Sequence, residues 1–328
     1  MTWAIFAINS AELEPYGCSA YTYTLYGSQP YLRQPYYQFS EQIDDDYFSN
    51  GGTNPAFTFL TGHGGFLQIA THGYTGLRHR EDALYLDPSI TPQFKDGLEI
   101  KGMKFHGGSF DIKIGLKETT ITRRKTGDKK RDSRSLRVRL GNRNPKRGDY
   151  FLKAGDKLTV PTFRADMAGT TIAGNFAQCS PVVSSSGHVP GQYPIGAVDG
   201  SNATTWQPST DQPSALTIDL GEVRPLRGAE LNWGRIPPNK FTILASTAQK
   251  PDESDQGWTK LYETDKVGIS DPWDPKDALE IRNRIGNTTS VEFKSKIPIE
   301  GRWVRLIIEG NKGQESGVGA QVAEFALL

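Results

Sequence analysis

The sequence predicts a mixed fold, in which a helical N-terminal segment is followed by two β-sandwich domains. The chain has 328 residues, which is more than one ordinary hydrophobic core accommodates. Its 35 glycines and 20 prolines favour many turns and short strands over long helices. Apolar residues recur with helical spacing near the N-terminus and alternate with polar residues in later segments. We therefore predict three domains, at residues 1–85, 86–174 and 175–328.

Residues 1–85 show helical spacing at Trp3–Leu13 and again at Phe66–Leu77. A long loop between them carries one glutamate, three consecutive aspartates and several aromatic residues, in "QPYYQFSEQIDDDYFSNGGTNPAF". Long loops between helices are frequent positions for functional residues. The first residues lack a basic region, and their apolar stretch is broken at Asn9 and Ser10. We therefore expect no signal peptide within this chain.

Residues 86–174 contain the strand patterns "LEIKGMKF", "SFDIKIGL", "SLRVRL" and "KLTVPT", which predict a β-sandwich. Residues 117–147 carry 13 Lys or Arg against 3 Asp or Glu. A basic block can bind nucleic acid, but apolar residues alternate with polar ones at 110–116 and 136–140. We predict that these two segments pair as a hairpin around "TGDKKRD", with the basic side chains in solvent. No nucleic-acid partner is expected.

Residues 175–328 open with the Ser/Pro/Gly segment "CSPVVSSSGHVPGQYP". The strand patterns "SALTIDLG", "GAELNWG", "KFTILAST", "RWVRLIIEG" and "AEFAL" follow and predict a second β-sandwich. No apolar run approaches the ~20 residues of a membrane span, so none is expected. Cys18 and Cys179 fit either a long-range disulfide or two buried thiols.

This last segment resembles the discoidin, or coagulation factor V/VIII type C, domains. The resemblance rests on "AVDGSNATTWQPS" and "SALTIDLGEVRPLRGAELNWG" and covers nearly all of residues 180–328. It implies a jelly-roll-like sandwich that binds a glycan or cell-wall ligand through loops at one end. Trp206 would then stack on a sugar, or else pack in the core. The Asp199 turn would hold a cation such as calcium, or else close as an Asx-turn.

The preceding residues resemble the C-terminal end of the fungal acid trehalases of glycoside hydrolase family 65. The blocks "CSAYTY", "FSEQIDDDY", "GGTNPAF" and "LTGHGGFLQ" carry this resemblance. It implies that residues 1–85 are the last helices of an (α/α)6 barrel and that residues 86–174 are the family's small sandwich. The implied substrate is trehalose, no cofactor is required, and the parent protein is extracellular, cell-wall or vacuolar. The family's general-acid segment is not found, so the chain alone is expected to be inactive.

Inverting glycosidases use one protonated carboxylic acid and one ionised carboxylate that activates water. The segment "FSEQIDDD" also resembles a glucoamylase segment in which the glutamate is the general base, which implies that role for Glu41. Ser40 and Gln42 would orient this base or its water. A base must be ionised, so we expect Asp44, Asp45 and Asp46 to point away from Glu41 or toward Arg33.

Four further residues are candidates for substrate binding. Tyr37 and Phe39 would line a glucose subsite or pack in the barrel core. His63 would bond sugar hydroxyls or pack its loop, and Gly64 would allow a close backbone approach. The run "GHGG" lacks the "Glu-Gly-Ile-His" pattern of related phosphorylases, which favours hydrolysis. Two alternatives stay open: a carbohydrate- or surface-binding protein acting through the C-terminal sandwich, and another family-65 α-glucosidase.

Overall fold

A computed structural model describes residues 2–249, 257–267, 287–295, 299–313 and 316–328 of the chain. These residues divide into two compact units, residues 1–169 and 170–328. Each unit contains its own β-sandwich. The predicted division into three domains stays a prediction.

The first unit begins with helices α1 (Thr2–Leu13) and α2 (Ser19–Tyr26), and continues later with α3 (Leu60–Gln68). A π-helical segment, Ile69–Tyr74, follows α3 directly. The hairpin of β1 (Leu32–Arg33) and β2 (Gln38–Phe39) lies between α2 and α3. The two segments with predicted helical spacing are therefore largely helical, whereas α2 was not predicted. Their place in an (α/α)6 barrel stays a prediction.

The first sandwich consists of a three-stranded and a four-stranded sheet. The smaller sheet contains β3 (Leu84–Leu86), β7 (Leu136–Leu140) and β8 (Gly148–Leu152). The larger sheet contains β4 (Leu98–Phe105), β5 (Gly108–Ile114), β6 (Glu118–Arg123) and β9 (Lys157–Pro161). Two short helices, α4 (Lys129–Ser133) and α5 (Ala165–Ala168), complete the unit. A single buried cluster extends from Ala4 in α1 to Val160 in β9, so the helices and this sandwich share one core.

The predicted hairpin of segments 110–116 and 136–140 is wrong. Strand β5 pairs with β4 and β6, whereas β7 pairs with β3 and β8 in the other sheet. The expected turn contains α4, whose N-terminus is capped by the Asp128 carboxylate. Alternation identifies a strand and its buried face, but it does not identify the partner.

The basic side chains around β7 have local partners. Arg137 and Arg139 both bind the carboxylate of Asp149, and both also lie within ion-pair distance of Asp82. Arg123 is buried and donates hydrogen bonds to three backbone carbonyls. Part of the positive charge of residues 117–147 is therefore neutralised by carboxylates, and the buried Arg123 binds backbone carbonyls within the fold.

The second unit contains the second predicted sandwich. Its larger sheet is ordered β10 (Val182–Ser184), β11 (Ser214–Leu226), β16 (Ile299–Glu309), β13 (Lys240–Ser246) and β14 (Thr259–Thr264). Its smaller sheet is ordered β15 (Asn287–Glu292), β12 (Gly228–Trp233) and β17 (Val322–Leu327). Trp206, Trp233, Phe241 and Phe325 are fully buried in this unit. In the described part of the chain neither cysteine is a free thiol.

Candidate active site

The segment that follows β2 carries Glu41 in a bend of the backbone. Ser40 forms an isolated β-bridge with Phe57, and the Glu41 N–H donates to the Ala56 carbonyl at 3.1 Å. The Ala56 N–H in turn donates to Glu41 Oε2 at 3.0 Å. This reciprocal pair fixes both the backbone and the carboxylate of Glu41. The residue is exposed, so its carboxylate is accessible to water.

Glu41 lies at a cleft of about 270 Å³ with aromatic walls. The lining residues are Thr2, Trp3, Gly27, Tyr31, Phe39, Ser40, Glu41, Gln42, Phe59 and Gly62. The Trp3 indole N–H donates to the Tyr31 hydroxyl at 3.2 Å, which ties α1 to the segment before β1. Aromatic walls with a few polar groups at one side are typical of a small-molecule site, and aromatic faces suit the apolar faces of sugars.

The Asp45 carboxylate points at Arg33, as expected. Arg33 Nε contacts Asp45 Oδ2 at 2.5 Å, and the Ser40 hydroxyl donates to Asp45 Oδ1 at 2.6 Å. The guanidinium also donates to the carbonyls of Gln42 and Ile43, which flank the loop. The hydrogen bond from Arg33 lowers the pKa of Asp45, and the positive charge of the guanidinium lowers it further.

Asp44 and Asp46 are used within their own loop. Asp44 Oδ1 accepts from the Asp46 N–H at 3.0 Å, which lowers the pKa of Asp44. Asp46 Oδ1 accepts from the N–H groups of Phe48 and Ser49. Both carboxylates therefore stabilise turns, which agrees with the expectation that they point away from Glu41.

Three predicted site residues, Tyr37, His63 and Gly64, do not line the cleft. His63 Nδ1 lies 2.9 Å from the Phe59 carbonyl, and its ring packs edge-on against Phe39 at 4.8 Å between centroids. This supports a packing role for His63. Tyr37 is exposed in the turn before β2 with φ 52°, and Gly64 faces open space. Neither residue lines the cleft.

Six lining residues were not predicted: Thr2, Trp3, Gly27, Tyr31, Phe59 and Gly62. At Gly62 a Cβ atom would lie 2.9 Å from the Phe59 ring, so glycine is required for this wall to close. The tertiary fold brings these residues to Glu41, and no motif in the sequence connects them with it.

In the second unit Trp206 is fully buried, so its ring is unavailable for stacking on a sugar. Asp199 is also buried and closes an Asx-turn by accepting from the Ser201 N–H at 2.9 Å. The Thr204 hydroxyl lies within hydrogen-bond distance of both Asp199 oxygens. Across the described residues, no three His, Cys, Asp or Glu side chains gather as a metal site.

A second buried carboxylate, Glu324, contacts the backbone next to Asp199. Glu324 Oε2 accepts from the Gly200 N–H at 3.0 Å, and Oε1 accepts from Asn175 Nδ2 at 3.3 Å. Burial, and then the charge of Asp199, raise the pKa of Glu324 well above its usual range. The buried Asp199 and Glu324 carboxylates thus both contact the turn at Gly200 and Ser201.

The comparison with protein families gives a match within the second unit. Residues 181–324 match the F5/8 type C domain, which agrees with the predicted discoidin-like sandwich. A chitosan-binding module from a Paenibacillus sp. IK-5 chitosanase/glucanase aligns with 47% of this chain and 96% of its own, at 21% identity and a TM-score of 0.36.

The chain as a whole has relatives among named enzymes. It is 35% identical over 362 aligned residues to the cell wall acid trehalase of Arthroderma benhamiae. It is 36% identical over 355 aligned residues to the acid trehalase of Emericella nidulans. Both alignments cover 100% of this chain but only 34% and 33% of the relatives, so the chain spans about a third of their length. The homologues of the full chain are thus fungal acid trehalases, as the sequence resemblance predicted.

The names of further relatives give the cellular location of those proteins. Relatives include a periplasmic or secreted acid trehalase of Candida glabrata and a cell wall acid trehalase of Candida albicans. Among the residues that the structure describes, no helix has the length and apolarity needed to cross a membrane.

Proposed function

We propose that this chain supplies the base-side part of the active site of an inverting glycoside hydrolase of the acid trehalase type. Glu41 is the general base, and the observation that carries this assignment is its position at the aromatic cleft. Its carboxylate is oriented by the Ala56 N–H. The adjacent Asp45 carboxylate is paired with Arg33 and is not directed at Glu41.

In this proposal Glu41 accepts a proton from a water molecule that attacks one anomeric carbon of trehalose. The glycosidic bond breaks, and a carboxylic acid about 6.5–9.5 Å away protonates the departing oxygen, which gives two glucose molecules. Phe39 and Gln42 line the glucose subsite, Gln42 orients the water or a sugar hydroxyl, and Ser40 acts through Asp45. His63 supports the wall through Phe39, whereas Tyr37 and Gly64, which do not line the cleft, are assigned no role.

The general acid is supplied by the part of the enzyme that this chain does not span. The distribution of exposed apolar residues supports this: of the 17 large hydrophobic side chains that are exposed among the described residues, 13 lie between residues 5 and 67. Large exposed apolar patches mark surfaces that pack against something else. In the proposed enzyme, further helices of the catalytic domain cover this face, including Phe48, Phe57 and Leu60.

The chain on its own is expected to release no glucose from trehalose, because half of the acid–base pair is missing. The test is a glucose-release assay on the chain and on the same chain joined to the remaining two thirds of an acid trehalase. Activity is expected only from the joined protein. Comparable turnover by the isolated chain would reject the division of the catalytic pair.

A second candidate activity concerns another α-linked glucoside. The protein-glucosylgalactosylhydroxylysine glucosidase of Danio rerio is 33% identical over 129 residues, which cover 39% of this chain. Hydrolysis of this glucoside in preference to trehalose by the joined protein would favour this alternative. Binding of glycans by residues 170–328 alone would instead favour a carbohydrate- or surface-binding role for the second unit.

We also propose that the Asp199 turn holds a calcium ion. The proposal rests on the oxygen groups near this turn: the Thr204 hydroxyl donates to Asp199 and to the Ser201 carbonyl, and Glu324 accepts from the Gly200 N–H. Oxygen ligands suit this hard cation. Asp199 and Glu324 would be the charged ligands. Bound calcium would favour the ionised form of Glu324, which burial otherwise opposes.

The stability of the second unit is therefore expected to depend on pH and calcium through Glu324. Because folding raises the pKa of Glu324, its contribution is fully present below the unfolded pKa, about 4.5, and is lost as pH rises through the folded pKa. Thermal melting from pH 4 to 8 should show that Glu324→Gln removes the part of the fall in stability with rising pH that Glu324 causes.

Calcium should raise the melting temperature of the wild type at pH 7 and leave that of Glu324→Gln nearly unchanged. Asp211→Asn, an exposed carboxylate, is the control, and an equal calcium response in all three proteins would contradict the assignment.

A further inference from the structure

Two of the five histidines of the chain face each other outside the cleft. His72 lies in the π-helical segment, and His79 follows the turn after that segment. Their Nε2 atoms are 3.2 Å apart, and their ring centroids are 5.3 Å apart with planes inclined by 52°. His72 is half-buried and His79 is exposed, so a small ion in solution has access to both.

The neighbouring Thr71 hydroxyl favours one tautomer of His72. Thr71 Oγ1 donates its proton to the Leu67 carbonyl at 3.1 Å, so it can only accept from His72 Nδ1, which lies 2.9 Å away. Nδ1 therefore carries the proton of the neutral imidazole, and Nε2 presents a bare lone pair toward His79. An outer hydrogen bond on one ring nitrogen that leaves the other free is the usual arrangement of a metal-binding histidine.

We propose that His72 and His79 bind a divalent transition-metal ion of the zinc type through their two Nε2 atoms. Two nitrogens at 2.0–2.1 Å from a tetrahedral zinc ion are about 3.3 Å apart, and the observed separation is 3.2 Å. Imidazole nitrogen suits zinc, copper and nickel. No third His, Cys, Asp or Glu among the described residues completes the set, so water occupies the remaining positions. The site is open and its affinity is modest.

The surrounding charges tolerate this cation and connect it to the fold. Arg78 lies beside the two histidines, and its guanidinium is paired with the Glu12 carboxylate of α1. Arg78 also donates to the carbonyls of His72 and Leu77 at 2.9 and 2.7 Å. A metal ion joining His72 to His79 therefore closes the turn around Arg78 and stabilises the contact of this turn with α1.

The test is a titration of the untagged full chain with zinc chloride, followed by calorimetry and by thermal melting. The variant His79→Gln keeps an N–H donor for His72 but removes the imidazole ligand, and His72→Ala removes the other ligand. His188→Ala, in the second unit, is the control. The wild type and the control are expected to bind one zinc ion and to gain a few degrees in melting temperature, reversed by a chelator.

Both site variants are expected to lose at least about tenfold in zinc affinity, because even the loss of an outer-shell partner of a metal ligand typically costs about 10–100-fold. If His72→Ala fails to fold, His79→Gln alone decides the outcome, since its melting temperature without zinc should match that of the wild type. Equal zinc binding by His79→Gln and wild type would overturn the proposal. The absence of any zinc-dependent shift in the wild type would also overturn it and leave a simple hydrogen bond between the two rings.

Discussion

Replacement of Glu41 by Gln is expected to lower kcat for trehalose by about 10²–10⁴-fold in the enzyme that joins this chain to the rest of an acid trehalase. Glutamine preserves the size of the side chain and still accepts from the Ala56 N–H, which holds Glu41 in place. It cannot, however, accept the proton of the attacking water. The effect should therefore fall on kcat, with KM changed little. Steady-state kinetics on purified joined proteins measure both quantities.

Asp44→Asn is the matched control for this change. Asp44 lies three residues away in the same exposed loop, and its carboxylate bonds only with that loop in the contacts described above. Activity close to that of the wild type is expected for Asp44→Asn. If the two variants had similar kcat values, or if Glu41→Gln were fully active, Glu41 would not be the base.

Arg143→Ala is expected to destabilise the first unit by about 3 kcal/mol, because removal of one partner leaves the largely buried Asp87 carboxylate uncompensated. Arg143 Nε lies 3.3 Å from Asp87 Oδ2, with side-chain exposures of 19% and 11%. The same guanidinium donates to the Ala11 carbonyl at 2.5 Å and lies 4.8 Å from the centroid of the Phe163 ring. Arg143 thus contacts Ala11 near the end of α1, Asp87 directly after β3 and Phe163 just after β9.

For a unit of this size the loss corresponds to a fall in melting temperature of about 6–12 °C. Scanning calorimetry on the full chain measures it. Arg131→Ala provides the comparison, because the Arg131–Asp128 ion pair is exposed and contributes at most about 1 kcal/mol. Equal melting temperatures for the two variants would show that the Arg143 contacts contribute no more than a surface pair.

The sequence predicted the strands with clear alternation better than it predicted their neighbours. "LEIKGMKF" corresponds to β4 from its first residue to its last. Strands β6 and β8 were missed, because β6 is rich in threonine and β8 is short, with mostly solvent-accessible residues. Strand pairing was assigned wrongly to segments 110–116 and 136–140, since pairing depends on how the chain crosses between two sheets.

For the candidate site, the local sequence identified the loop that carries Glu41 and the direction of its aspartates. The three aspartates were expected to point away from Glu41 or toward Arg33 because of the base role that the resemblance implies for Glu41, and Asp45 pairs with Arg33 in the structure. Trp3 and Tyr31 reach the cleft through the packing of α1 and the segment before β1, so no local pattern predicted them. For Trp206 the resemblance left two roles open, stacking on a sugar or packing in the core, and in the structure the ring is fully buried.

The single core shared by the N-terminal helices and the first sandwich affects how such proteins are recombined. A crossover at residues 85 and 86, where the sequence pattern changes, would separate buried partners such as Tyr74 and Phe110, which belong to one cluster. A chimera made there would inherit two unmatched half-cores, whereas one that exchanges residues 1–169 as a block keeps this core intact. In lineages that exchange carbohydrate-active modules, we therefore expect the helices and the first sandwich to be inherited together.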